Sequence, residues 1–371
     1  MGLPALTVRM MLLSSLAIPA TSLAQGAPAQ PIRIEGRTLD PGIQALFARE
    51  QAAEAHAPKE DVVTAAGRAK IRQGQIEQWS GGTALPPKMQ SVQNDTVKSD
   101  GAAIPVRIYR PVASGPLPII VYYHGGGWFI GGIEASDRSS RQLADDAKAI
   151  VVSVDYRLSP EAHYPAAWDD AQNAYEWTVS QAKRLGGAPD QVCVGGDSAG
   201  GNLSIAVTTR EIKAGKPAPL CQILYYPATD NRPIDTMRAT YASSRLFGEG
   251  FHLDREFTDY ILPIVFPGQD LAQPEISPLF DEDRQMPPTL IAAANFDPLR
   301  DSERSYAAKL AKAGNIVSYV EFPSLIHGFL QHTALTPEAT RAARETAKAA
   351  GVMARDAIAA RAAQAAIRQG K

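Results

Sequence analysis

The strongest constraint on the fold is a regular alternation between short apolar runs rich in β-branched residues and longer stretches with helical spacing. Runs at residues 118–123, 150–155, 191–195, 220–225, 289–294 and 317–322 read as strands, and two closely spaced runs at 90–97 and 103–110 precede them as an antiparallel pair. Between the runs, residues 136–147, 166–185, 199–214 and 302–313 carry apolar residues at helical intervals. Such alternation predicts an α/β chain with a mostly parallel, eight-stranded sheet covered by helices on both faces. Residues 337–369 form a long Ala-rich amphipathic helix, with a break expected near Gly351. Its arginines read as solvated surface charges.

Two segments fall outside the alternation. Residues 42–76 supply one or two helices before the first strand, and residues 231–273 insert a helix around 254–264 between two sheet strands. Together, as about 38–84 and 231–273, they are expected to fold over the sheet edge as a cap on a single domain spanning 25–371. No internal repeat is evident.

The first 24 residues have their own logic. Arg9 precedes an apolar run from Met10 to Ile18, and the small-residue sequence Ser22-Leu23-Ala24 follows Pro19. This is the pattern of a secretory signal peptide, with the mature chain starting near Gln25 and destined for the periplasm or the medium. The run is about half of what a bilayer crossing needs, so no stable membrane anchor is expected after cleavage. Export permits a disulfide between Cys193 and Cys221, but both lie in core strands, and two buried thiols are the expectation.

With 37 basic and 39 acidic side chains, the net charge is only -2, which supplies no positive field for nucleic acid or anionic lipid. A small neutral ligand fits better, and assembly as a homodimer is compatible with the sequence. No His or Cys cluster has metal-ligand spacing, and no Gly-x-Gly-x-x-Gly opens an early strand-helix unit, so no metal or cofactor is expected.

The chemistry is carried by three stretches. Gly196-Asp197-Ser198-Ala199-Gly200 sits between an apolar strand and a helical run, the context of a nucleophile elbow that holds Ser198 out at the sheet edge. Upstream, Tyr123-His124-Gly125-Gly126-Gly127-Trp128 ends another strand. Its glycines leave N–H groups free to face an oxyanion, with Gly126, Gly127 and Ala199 as the expected donors and Gly125 as a further candidate. A phosphate loop would need Gly-Lys-Ser or Gly-Lys-Thr, which is absent here. Serine needs a base, and the base needs an acid. Of six histidines, His327 follows a strand in Leu325-Ile326-His327-Gly328-Phe329, while His332 belongs in or beside the next helix. Asp297 ends another strand, and Asp301 reads as a helix-capping or arginine-pairing residue. The order Ser198, Asp297, His327 matches α/β hydrolases and excludes the chymotrypsin and subtilisin orders.

These stretches, with Asp155-Tyr156-Arg157-Leu158-Ser159-Pro160-Glu161, Asp297-Pro298-Leu299 and His327-Gly328-Phe329, resemble the bacterial hormone-sensitive-lipase family of esterases over about residues 85–335. The resemblance implies an α/β-hydrolase fold with a helical cap, the triad Ser198, Asp297 and His327, and hydrolysis of short to medium acyl esters. It also implies that Asp155, Arg157 and Glu161 brace the oxyanion loop. Trp128 and Phe129, and Phe247, Phe251, Phe257 and Tyr260 in the insertion, are candidate pocket walls or cap core. Amidase or lactonase activity would use the same triad, and a binding protein on this scaffold would normally have lost the serine or histidine.

Overall fold

A computed structural model describes residues 30–54, 62–99 and 101–369. The expected leader at 1–24 and His56 lie outside the described residues. A short antiparallel pair, β1 (Arg33–Ile34) and β2 (Arg37–Thr38), precedes α1 (Pro41–Glu54) and α2 (Ala65–Gly82). The alternation then begins with β3 (Met89–Ser99), β4 (Ala102–Pro111), β5 (Ile119–Tyr123), α3 (Ile133–Ala147) and β6 (Ile150–Val154). It continues with α4 (Ala166–Leu185), β7 (Val192–Asp197), α5 (Ala199–Lys213) and β8 (Gln222–Tyr225). Helices α6 (Ile234–Thr240), α7 (Ala242–Phe247) and α8 (Arg255–Val265) interrupt it before β9 (Thr289–Phe296), α9 (Arg300–Lys312), β10 (Val317–Ile326) and α10 (Pro337–Gln369).

Strands β3 to β10 form one eight-stranded sheet in the order β10-β9-β8-β7-β5-β6-β4-β3. β4 pairs antiparallel with both β3 and β6, while the other neighbours pair in parallel, so β4 is the one reversed strand of this sheet. The period of two along a strand sorts its side chains between two helical layers. In β5, Ile119 and Val121 pack with Ala171 of α4 and Leu203 of α5, whereas Ile120 and Tyr122 pack with Leu143 of α3 and Ala342 of α10. Both faces being buried explains why Ile119-Ile120-Val121-Tyr122-Tyr123 is apolar throughout, each large side chain contributing about 1.5–3 kcal/mol on burial.

Two expectations need correction. The C-terminal helix runs unbroken through Gly351, because that glycine marks a close approach: a Cβ there would lie 2.2 Å from the carbonyl oxygen of Ala147 at the end of α3. Cys193 and Cys221 are joined rather than being two thiols, with Cα atoms 4.7 Å apart. The pairing of β7 beside β8 puts Val194 N on Cys221 O at 3.0 Å and turns both sulfurs into the same core layer.

Because β5, β7, β9 and β10 run parallel, the residues that follow them emerge at one edge of the sheet, where open α/β sheets place their ligands. The segments outside the alternation reach that edge too. Arg72 of α2 donates to the carbonyls of Phe129 and Ser159 at 2.9 and 2.8 Å, and Ile261 of α8 lies against Gly127.

Candidate active site

Ser198 follows β7 directly and begins α5, with φ 55° and ψ -115°, a conformation that costs a non-glycine residue energy and that the surrounding turn must enforce. The enforcement is steric. A Cβ at Gly200 would fall 1.8 Å from the carbonyl oxygen of Tyr123, so only glycine lets α5 start this close to β5. Ser198 N–H donates to Tyr225 O, and Asn202, buried one turn on, donates to the carbonyls of Ala228 and Ile276, pinning the helix start.

His327 leaves the end of β10 and Asp297 the end of β9. His327 Nε2 lies 2.9 Å from Ser198 Oγ, and its Nδ1 lies 2.7 Å from Asp297 Oδ2. Asp297 is fully buried and its other oxygen accepts from Leu299 N–H at 2.8 Å, which fixes the carboxylate plane. The ring of Tyr226 packs on His327 at 4.8 Å between centroids. None of the other described histidines hydrogen-bonds Ser198: His124 contacts Gly125 O, His163 contacts Ile264 O, and His252 and His332 pack edge to face on each other. Asp301 sits on α9, accepting from Ser243 N–H and pairing with Arg300 and Arg304, as its capping and pairing reading required.

Among the described residues the backbone N–H groups of Gly126, Gly127 and Ala199 have no acceptor, and all three residues border the space over Ser198. They can therefore converge on one anionic oxygen. Gly125 cannot join them. Its N–H donates to Asp197 Oδ1 at 2.9 Å. Asp197 is a residue that the motif reading passed over. Buried beside Ser198, it also accepts from Tyr122 O–H at 2.7 Å and from Gln331 at 3.1 Å, tying the glycine loop to the turn that carries Ser198. The second brace is the segment after β6: Tyr156 O–H donates to His124 O at 2.7 Å, Asp155 accepts from Ile133 N–H, Arg157 pairs with Asp170, and Glu161 pairs with Arg68 and Arg72.

With this geometry in hand, similarity to known proteins decides the family. A match to the alpha/beta hydrolase fold spans residues 120–331, more than half of the chain. The chain belongs to the hormone-sensitive-lipase-like α/β hydrolases. Its relatives include the carboxylic ester hydrolase LipN of Mycobacterium tuberculosis, 37% identical over 84% of this chain and 82% of that protein. Among solved structures, an ester-hydrolase from the metagenome of Lake Arreo, complexed with a derivative of bipyridine phosphonate, superposes with a TM-score of 0.79 at 35% identity, over 85% of this chain and 98% of that one. A hyperthermophilic esterase from the archaeon Pyrobaculum calidifontis gives 0.76 at 30% identity, over 85% and 99%.

In this α/β hydrolase two cavities meet at Ser198, sharing Gly127, Leu253 and Phe257 as walls. One runs past Trp128, Met237, Ile261, Leu262 and Leu299. The other holds His327 and Gly328 and is walled by Gln75, Gln78 and Trp79 of α2 together with His252. Of the aromatic residues singled out in the sequence, Trp128 and Phe257 are walls. Phe129 is not: it is fully buried beneath Arg72 and Tyr260, because the turn after Gly127 directs it into the core. Phe247 and Phe251 pack on Phe296 as hydrophobic core. Among the described residues no helix is long and apolar enough to cross a membrane, and no group of three or more His, Cys, Asp or Glu could hold a metal.

Proposed function

We propose that this hydrolase cleaves carboxylic esters by acyl transfer to Ser198. The observation that carries the reading is the unbroken chain from Asp297 through His327 to Ser198 Oγ, set against three unpaired backbone donors. Ser198 Oγ attacks the carbonyl carbon as His327 Nε2 takes its proton, and Asp297 holds the ring and stabilises the imidazolium. The developing oxyanion rests on the N–H groups of Gly126, Gly127 and Ala199, each worth roughly 3–4 kcal/mol by the usual loss on removal. The leaving oxygen then takes the proton from His327, the acyl-enzyme forms, and water repeats the sequence to release the acid. The names of the relatives, carboxylic ester hydrolase and esterase among them, support esters as the bond type. The apolar-lined cavity beside Ser198 supports an acyl group there, and the family resemblance supports short to medium chain length. Export of the chain is part of the same proposal, and a core disulfide is the covalent feature expected in an oxidising compartment.

The test is hydrolysis of an ester, an amide and a lactone matched in acyl size, with Ser198→Ala as control. The reading requires the ester to be cleaved fastest and the variant to be inactive yet folded. Faster amide or lactone turnover would reassign the bond class.

A further inference from the structure

The two cavities that meet at Ser198 differ in one mechanistic respect. Only one of them contains His327. In acylation the bond between the carbonyl carbon and the alcohol oxygen breaks, and that oxygen receives the proton from His327 Nε2, so the alcohol must lie within reach of the imidazole. The leaving alcohol therefore occupies the cavity walled by α2, and the acyl chain runs into the one past Trp128 and Met237.

The walls then assign chemistry to each. On the acyl side the polar residues are spent on one another: Asp230 pairs with Arg232 and accepts from Tyr241 O–H, and Asn231 is bonded to Ser277 and Ile276. The surface left over is apolar. On the alcohol side Asp197, Gln331 and Tyr226 also bond one another, but three further polar side chains keep an unengaged group. Gln75 is 1% exposed, and its Oε1 accepts from Gly131 N–H at 2.9 Å, which leaves Nε2 as a donor with no partner among the described residues on a side chain that borders the cavity. Beside it, Gln78 uses its Nε2 on Glu50 at 3.4 Å, and among the described residues its Oε1 and His252 have no hydrogen-bond partner. A buried amide that is half satisfied costs free energy unless a ligand completes it.

Resting on the ester-hydrolase reading, we infer that the leaving group is a polyhydroxylated alcohol of the glycerol or sugar type, whose hydroxyls pair with Gln75 Nε2, Gln78 Oε1 and His252. The experiment compares kcat/KM for 1-butanoylglycerol and pentyl butanoate, which share the acyl group and nearly share the length of the alcohol. The parent enzyme is expected to favour the glycerol ester at least fivefold. Gln75→Met and Gln78→Leu should each cut that preference about five- to tenfold, the worth of one hydrogen bond. Taking the ratio within each variant cancels any loss from loosening Gly131, and Gln78→Leu does not touch that loop at all. A parent preference for the pentyl ester, or a ratio that neither substitution moves, would overturn the inference while leaving the esterase intact. Failure to cleave either ester would instead overturn the activity on which it rests.

Discussion

Replacing Asp197 by alanine separates the architecture of the glycine loop from the catalytic groups proposed above. The Asp197 carboxylate is the shared acceptor for Tyr122 O–H, Gly125 N–H and Gln331 Nε2. Alanine leaves three buried donors without a partner, and at about 1–3 kcal/mol for each unsatisfied group the loss is on the order of 3–6 kcal/mol, reduced by relief from burying a charge. That is a large share of the 5–15 kcal/mol typical of a domain. The kinetic effect follows from Gly125. Once its N–H is released, Gly126 and Gly127 lose their fixed aim, and misplacing one oxyanion donor costs roughly 100- to 1000-fold in kcat. Asparagine keeps an acceptor oxygen for Tyr122 and Gly125 but sets an amide donor against Gln331, so Asp197→Asn should lose only about 1–2 kcal/mol and about tenfold in kcat. Urea unfolding followed by circular dichroism, and steady-state rates on a nitrophenyl ester at a temperature where each variant is folded, measure both quantities. An alanine variant within about 1 kcal/mol of the parent and within about threefold in kcat would refute the assignment of Asp197 as the clamp.

The other predictions concern stability and covalent state. Burial and the nearby His327 push His252 down to about 4, and burial and His252 push its neighbour His332 below the ordinary histidine range. Bases depressed in the folded state supply stability above about pH 6.5 that is lost as pH falls toward about 4, so His332→Phe should lessen the drop in urea midpoint between about pH 7.5 and about pH 4.5. Glu303 is buried without a hydrogen-bond partner, and burial followed by the charge of Asp297 raises its carboxyl well above the usual range. An acid raised in the folded state favours folding below about pH 4.5 and loses that contribution as pH rises through its folded pKa, so Glu303→Gln should raise the thermal midpoint, and more so at alkaline pH. Unreduced protein unfolded in guanidinium should show no titratable thiol, and reduction of the Cys193–Cys221 bridge should lower stability by about 2–4 kcal/mol.

Much of the site was legible because its residues are tied to strand ends. Ser198, Asp297 and His327 each follow an apolar run, and parallel strands bring such positions to one edge whatever the rest of the chain does. What stayed hidden depends on contacts between distant segments. Asp197 reads as the variable position of Gly-x-Ser-x-Gly until its partners Tyr122 and Gln331 are seen around it. The disulfide required knowing that Cys193 of β7 and Cys221, just before β8, turn to the same face, and Gly351 resembles a helix break until Ala147 is found against it. Gln75 and His252 belong to segments with no motif, and their importance comes from what they fail to bond in the fold.

The nucleophile is tested most directly by mass spectrometry after treatment with a fluorophosphonate. The account predicts one adduct per chain, located on the peptide that contains Ser198, forming in step with the loss of esterase activity and greatly slowed in His327→Ala. Label on a different residue, or ester turnover that survives complete modification of Ser198, would contradict it.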